Sequence, residues 1–239
     1  MKESSINYRQ DIAAKGFTVI PGVFDAEETN QIIQQINEAD QTNPTFRKTA
    51  DLFAIRQFLK EVPAILPLVL TERLNTLIQS LFGTGYFVVK SIYFDKPEQS
   101  NWFVAYHQDL TISVDRKTEA PGFGPWTIKH NQFAVQPPLK ILERNFTIRI
   151  HLDDTDKNNG ALKVVPASHA KGIYRPETID WSAETEAICE VPKGGIMIMR
   201  PLLLHASGRT TNQARRRVIH IEFSNTLLPH GLNWSEAIA

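Results

Sequence analysis

Apolar positions recur with a helical period in the first third of the chain and alternate with polar ones beyond about residue 85. The stretch "DAEETNQIIQQINEAD" (25–40) sets Ile32, Ile33 and Ile36 on one face behind Asp25. Aspartate is a residue type that accepts from the free N–H groups of a first turn, so an amphipathic helix is predicted there. "LPLVLTERLNTLIQSLFG" (66–83) predicts a second helix stopping at Gly83, and "GFTVIPGVF" (16–24) a short strand ahead of both. From Tyr86 onward come eight candidate strands: "YFVVKSIYF", "WFVAYHQ", "FTIRIHLDD", "ALKVVP", "AICEV", "GIMIMR", "LLLHAS" and "RRVIHIEFS". Many short strands behind a helical start predict a mainly β fold, a barrel or sandwich supported by helices. Between Leu110 and Asn145 the proline- and glycine-rich "APGFGPW" and "VQPP" predict a long loop, ordered by Phe123, Trp126 and Phe133 and suited to a lid.

Alternation also sorts side chains by face. In "FTIRIHLDD", Phe146, Ile148, Ile150 and Leu152 share one face, while Thr147, Arg149, His151 and Asp153 share the other, which must meet solvent or a polar cavity. In "RRVIHIEFS", Arg216, Val218 and His220 lie opposite Ile219, Ile221 and Phe223, and Arg215 and Arg217 are expected to meet solvent or acidic neighbours. With 239 residues, 42% of them hydrophobic, the chain is expected to form one domain. Residues 1–85 would be helical support and 86–226 the β core, with 110–145 as its insert. The 26 basic and 26 acidic residues balance, which speaks against nucleic acid or an anionic membrane surface as partner and for a small molecule selected by a pocket. No apolar run is long enough to span a bilayer or to act as a signal peptide, so a cytoplasmic location is expected. The single Cys189 reads as a buried thiol.

The candidate chemistry lies in the histidines. The pattern of histidine, any residue, acid occurs at His107/Asp109, His151/Asp153 and His220/Glu222. On a strand, residues two apart point the same way, so each pair could offer a metal two ligands. A third candidate is His205, at the end of the apolar "RPLLLHASGRT". Two histidines and one carboxylate make the facial arrangement that leaves positions open on a non-haem iron for a chelating cosubstrate and dioxygen. Arg216, eleven residues after His205, is suited to the far carboxylate of a dicarboxylate cosubstrate, and the Ser207 hydroxyl could join it. The same set would also serve a zinc hydrolase or a barrel that only binds a small molecule. His220 reads as a satisfied structural histidine, and His130, His169 and His230 as loop or turn residues.

The motifs "YHQDLTI", "IHLDDTDKNNGALKVVPASHAKG" and "GGIMIMRPLLLHASGRTTNQARRRVIHIEFS" resemble the phytanoyl-CoA dioxygenase family of iron(II)- and 2-oxoglutarate-dependent oxygenases, over about Gly16 to Phe223. The resemblance implies a double-stranded β-helix (jelly-roll, cupin-like) in which His107, Asp109 and His205 hold Fe(II) and Arg216 anchors 2-oxoglutarate. It selects the first of the three pairs as the metal pair. It further implies cosubstrate contacts from Lys90, on the strand before that pair, and from Trp126 in the long segment; the alternatives are a strand edge for Lys90 and core for Trp126. Gln108, between the ligands, is a candidate for steadying them or the cosubstrate. The implied reaction consumes 2-oxoglutarate and O2 and releases succinate and CO2. Asp109 favours hydroxylation over halogenation, since halogenating relatives carry a small residue there. Without a basic CoA-binding signature, a free metabolite is the preferred substrate over an acyl thioester, with Arg149 or His151 contributing polar contacts.

Overall fold

The computed structural model of the protein describes residues 2–39, 46–49, 53–98, 100, 102–129 and 132–238. The N-terminal part runs α1 (Lys2–Lys15), β1 (Phe17–Ile20), α2 (Ala26–Glu38), β2 (Phe46–Lys48), β3 (Phe53–Arg56), α3 (Phe58–Glu61), α4 (Leu66–Val69) and α5 (Glu72–Phe82). Then follow β4 (Phe87–Lys96), β5 (Val104–His107), β6 (Ile112–Val114), β7 (Trp126–Lys129), β8 (Gln132–Val135), α6 (Leu139–Leu142), β9 (Phe146–His151) and β10 (Leu162–Val164). The chain closes with β11 (Ala187–Cys189), β12 (Ile196–Met199), β13 (His205–Ser207) and β14 (Arg216–Ser224).

Asp25 caps α2 as expected: its carboxylate accepts from the Glu28 N–H and the Glu28 carboxylate accepts from the Asp25 N–H, both at 2.8 Å. The stretch 66–83, however, is two helices. Leu70 leaves the helical backbone (φ −84°, ψ 56°) and Thr71 starts α5, its hydroxyl accepting from the Leu74 N–H at 3.2 Å. Local capping overrides a periodicity that reads through it.

All eight candidate strands form. Seven strands make a large sheet in the order β1-β12-β9-β14-β4-β3-β2, and four make a smaller one, β11-β10-β13-β5, with every neighbouring pair antiparallel. The architecture is the mainly β jelly-roll. Residues 1–85 do more than support it, because β1 extends one edge of the large sheet and β2 and β3 the other. The large sheet is buried on both faces. Its outward Ile148, Ile150, Ile219, Ile221 and Phe223 pack on Ile32, Leu74 and Ile78 of the helices. Phe82 of α5 stacks on Phe146, which stacks on Phe223 at 5.1 Å between ring centroids. Its inward Thr147, Arg149, His151, Arg216, His220 and Glu222 are buried as well, so the polar face of the alternation lines the space between the sheets. In these strands the apolar side chains face the helices and the polar ones face the barrel interior, an inversion that only a functional cavity makes affordable.

Residues 110–145 are not one loop. β6, β8 and β7 form a three-stranded antiparallel sheet whose Ile112, Val114 and Val135 pack with Leu142 and with Leu232 and Trp234 near the C-terminus. These strands are three or four residues long, too short to show a period between the prolines. The C-terminal stretch is fastened by bridges from Trp234 to Val114 and Ile238 to Val88. Arg215 pairs with Asp95 and Arg217 with Asp153, on the acidic neighbours expected. Cys189 is buried and its thiol pushed up to about 12 by that burial, so it is inert. His169 sits in a 3-10 turn and His230 at a left-handed turn position (φ 59°); His130 lies outside the described residues. Among the described residues, no helix is long and apolar enough to cross a membrane.

Candidate metal centre and cosubstrate cavity

β5 and β13 pair so that His107 and His205 stand directly opposite each other, with ring centroids 4.2 Å apart. Just past the end of β5 the Asp109 N–H donates to the Pro201 carbonyl (2.9 Å), which turns the chain and brings the carboxylate between the two rings. Asp109 lies 3.9 Å from His107 Nε2 and 3.8 Å from His205 Nε2, and one ligand atom from each residue falls within 4.8 Å of the others. Each imidazole is oriented by the backbone two residues before it: His107 Nδ1 donates to the Ala105 carbonyl and His205 Nδ1 to the Leu203 carbonyl, both at 2.9 Å. That leaves both Nε2 lone pairs for a metal, the arrangement in which an outer hydrogen bond sets the tautomer of a ligand.

The electrostatics fit a cation. Burial pushes the His205 imidazole down to about 4, against the pull of Asp109, so the ring is neutral at pH 7. Burial alone would raise the Asp109 carboxyl, but His205, His220, Lys90 and His107 outweigh it and hold the group well below the usual carboxylate range. Its Oδ2 is buried and has no hydrogen-bond partner among the described residues. An ionised, unpartnered oxygen between two oriented nitrogens is the donor set of a 2-His-1-carboxylate iron site.

From the metal site a cavity of about 140 Å³ runs between the sheets to Arg216. Arg216 begins β14, is 6% exposed, and has its Nε and Nη1 unpartnered among the described residues. Burial and the charge of Arg149 push the guanidinium down to about 9, which leaves it charged at pH 7. A buried cation without a carboxylate is costly unless an anion joins it. Ser207 lines the same cavity, two residues beyond His205. A second chamber of about 360 Å³ opens beyond His107, bounded by Gln136, Tyr174, Arg175 and Glu177. His107 is the most exposed of the three candidate ligands, with 40% of its side chain accessible, so the metal site faces that chamber.

The remaining site candidates take different places. Trp126 stands in β7, half-buried against the cluster around Val135 and Leu142, and does not reach the cavity. Gln108 points away from the candidate metal site: its amide nitrogen donates to the Gly172 (2.9 Å) and Leu202 (2.6 Å) carbonyls and its oxygen accepts from the Tyr174 N–H (2.9 Å). It steadies the strand of the candidate ligands and the 172–177 segment. Lys90 does line the cavity, but its ammonium donates to Glu222 at 2.6 Å; burial would lower it, and Glu222 and Asp109 raise it. His220, read as structural, lines the cavity too, with Nε2 3.2 Å from Glu222 and Nδ1 3.0 Å from Arg149 Nη1. The hint was in the alternation, which sets His220 on the face of Arg216.

Residues 12–218 match the phytanoyl-CoA dioxygenase (PhyH) family. The chain belongs to this family. As a PhyH protein it is an iron(II)- and 2-oxoglutarate-dependent oxygenase. No curated protein sequence matches it. Among solved structures, the non-heme alpha-ketoglutarate-dependent carbocyclase SnoK from nogalamycin biosynthesis is similar at a TM-score of 0.69 and 15% identity, over 92% of this chain and 83% of that one. The epimerase SnoN, in complex with Fe3+, alpha-ketoglutarate and nogalamycin RO, has a TM-score of 0.69 at 14% identity, over 100% and 96% of the two chains. HygX from Streptomyces hygroscopicus, with nickel, 2-oxoglutarate and hygromycin B bound, has 0.65 at 17%, over 92% and 87%. At these identities the likeness shows that the PhyH chain shares their fold.

Proposed function

We propose that the protein hydroxylates an unactivated C–H bond of a free, polar small molecule, with His107, Asp109 and His205 holding Fe(II) and Arg216 with Ser207 holding the far carboxylate of 2-oxoglutarate. The observation that carries this reading is the pairing of an oriented 2-His-1-carboxylate set with a buried, carboxylate-free Arg216 at the other end of one cavity. Bound iron and 2-oxoglutarate would supply the oxidation, with O2 consumed and succinate and CO2 released. The protein's part is to fix the ligands, keep water out and position one bond of the substrate.

Hydroxylation is favoured by Asp109, a carboxylate where a halogenase needs room for chloride. A free small molecule is favoured by the second chamber, whose Gln136, Tyr174, Arg175 and Glu177 offer hydrogen bonds and both signs of charge within about 360 Å³. SnoN and HygX, bound to nogalamycin RO and hygromycin B, are of the same fold and support a natural-product-like metabolite. The test is substrate-dependent succinate release from metabolite fractions, followed by mass analysis of the product. A product heavier by one oxygen atom from O2 is expected; an isomer, or a product short of two hydrogens, would replace hydroxylation by an epimerase- or cyclase-type outcome.

A further inference from the structure

Behind the metal site runs a chain of buried polar groups that the proposed chemistry leaves without a task. Lys90 Nζ donates to Glu222 Oε1 at 2.6 Å, and Glu222 Oε1 lies 3.2 Å from His220 Nε2. His220 Nδ1 lies 3.0 Å from Arg149 Nη1. Because a guanidinium can only donate, His220 Nδ1 must accept, so the proton is on Nε2 and points at Glu222. Every orientation in the chain is thereby set, and its last member is Arg149. Arg149 is 7% exposed, lines the cavity, and has its Nε unpartnered among the described residues. Among the described residues none of its hydrogen bonds goes to a carboxylate: Glu222 is taken by Lys90 and His220, and Asp109 acts on it through its charge.

The position of Arg149 follows from register. It stands directly across from His220 on the β9/β14 pair, and His220 has a ring nitrogen within 4.8 Å of an Asp109 oxygen. Arg216 is four residues earlier on the same face of β14, about 13 Å along the strand. The cavity therefore has one guanidinium without a carboxylate hydrogen bond at the metal end and another at the far end. Two buried cations of this kind call for a ligand with two anionic groups spaced along the cavity.

We infer that Arg149 is a second cosubstrate-binding residue, held by the Lys90–Glu222–His220 chain so that it takes the metal-proximal carboxylate of the 2-oxo acid while Arg216 takes the distal one. The inference rests on the oxygenase reading above and adds the residue that grips the chelating end. It is also why Lys90 is not free for the cosubstrate: its charge holds Glu222, which orients His220 and through it Arg149.

The test is anaerobic calorimetry on the Mn(II)-loaded protein with two probes, 2-oxoglutarate and 2-oxopentanoate, which has the same chelating end and no distal carboxylate. Arg216→Met should weaken 2-oxoglutarate and leave 2-oxopentanoate unchanged. Arg149→Met should weaken both by the same factor, about 10- to 100-fold for a charge-assisted contact in a buried site. Arg149→Gln, which is neutral but keeps a donor toward His220, should repeat that pattern and serves if the methionine variant does not fold. Unchanged affinity for either acid in a folded Arg149 variant overturns the assignment while leaving the oxygenase reading in place. Wild-type protein that binds neither acid overturns both.

Discussion

Replacing Arg216 should make the protein more stable and less able to bind its cosubstrate. Burial and Arg149 push the Arg216 guanidinium down to about 9. At about 1.4 kcal/mol per pH unit, that places on the order of 5 kcal/mol against the charged form in the cosubstrate-free protein. Arg216→Met keeps most of the buried stem and removes the charge, so the free energy of unfolding without cosubstrate should rise by about 1 to 3 kcal/mol. The same change would remove the proposed contact to the distal carboxylate, so 2-oxoglutarate should bind roughly 30- to 1,000-fold more weakly. The neighbouring Arg217 provides the control. Its Nε and Nη2 donate to Asp153 at 2.8 and 2.6 Å on the opposite face of β14. Arg217→Met should therefore cost about 1 to 3 kcal/mol of stability and change cosubstrate affinity less than about threefold. Urea unfolding and calorimetry on both variants read the two quantities separately. If Arg216→Met destabilises the free protein as much as Arg217→Met does and leaves 2-oxoglutarate affinity intact, the guanidinium is structural and the register argument is wrong.

Gly160 should resist even alanine, because its φ is +88° and a Cβ would lie 2.9 Å from Lys96 Nζ and 3.0 Å from the Gly208 carbonyl, beside Arg216. Gly160→Ala should lose about 1 to 3 kcal/mol in thermal or urea unfolding and weaken 2-oxoglutarate; an unchanged melting curve would contradict the crowding. Gln108→Ala should leave Fe(II) binding intact and raise substrate KM, with faster hydrogen exchange over 172–177, since three hydrogen bonds to that segment and to Leu202 are lost; unchanged exchange would show the segment is held elsewhere. Metal-free protein should lose stability as pH falls from 6.5 to 5. Burial lowers His205 to about 4, and burial with Arg149 and Arg216 lowers His151 well below its usual range, so in that window only the unfolded chain takes up their protons. The expected loss is roughly 2 kcal/mol per histidine, read by unfolding at several pH values, and a flat profile would place these rings in contact with water.

Much of the site was legible because chemistry and strand period coincide. His107, Asp109, His205, Ser207 and Arg216 stand where alternation and the PhyH motifs put them, around one cavity. What escaped the sequence was partnership at a distance. Lys90 and Glu222 meet only because β4 and β14 are neighbours in register, and nothing local reveals that Glu222 claims the lysine. Trp126 carries the same aromatic ring whether it faces a cosubstrate or a core, and only the β6-β8-β7 sheet decides for the core. That sheet was itself hidden, since strands of three or four residues among prolines show no period. The break at Leu70 is hidden for the opposite reason: the apolar period continues through it, and one threonine cap is enough to restart the helix.

His107, Asp109 and His205 are proposed to hold an iron that 2-oxoglutarate then chelates. Anaerobic addition of Fe(II) and 2-oxoglutarate to the protein, followed by visible absorption, tests it most directly. The iron–keto acid charge-transfer band should appear only when both are present, and should be absent in His107→Ala, Asp109→Ala and His205→Ala while those proteins remain folded. A band that survives all three changes and disappears in His151→Ala would contradict the account, because it would place the metal on the other histidine and acid pair.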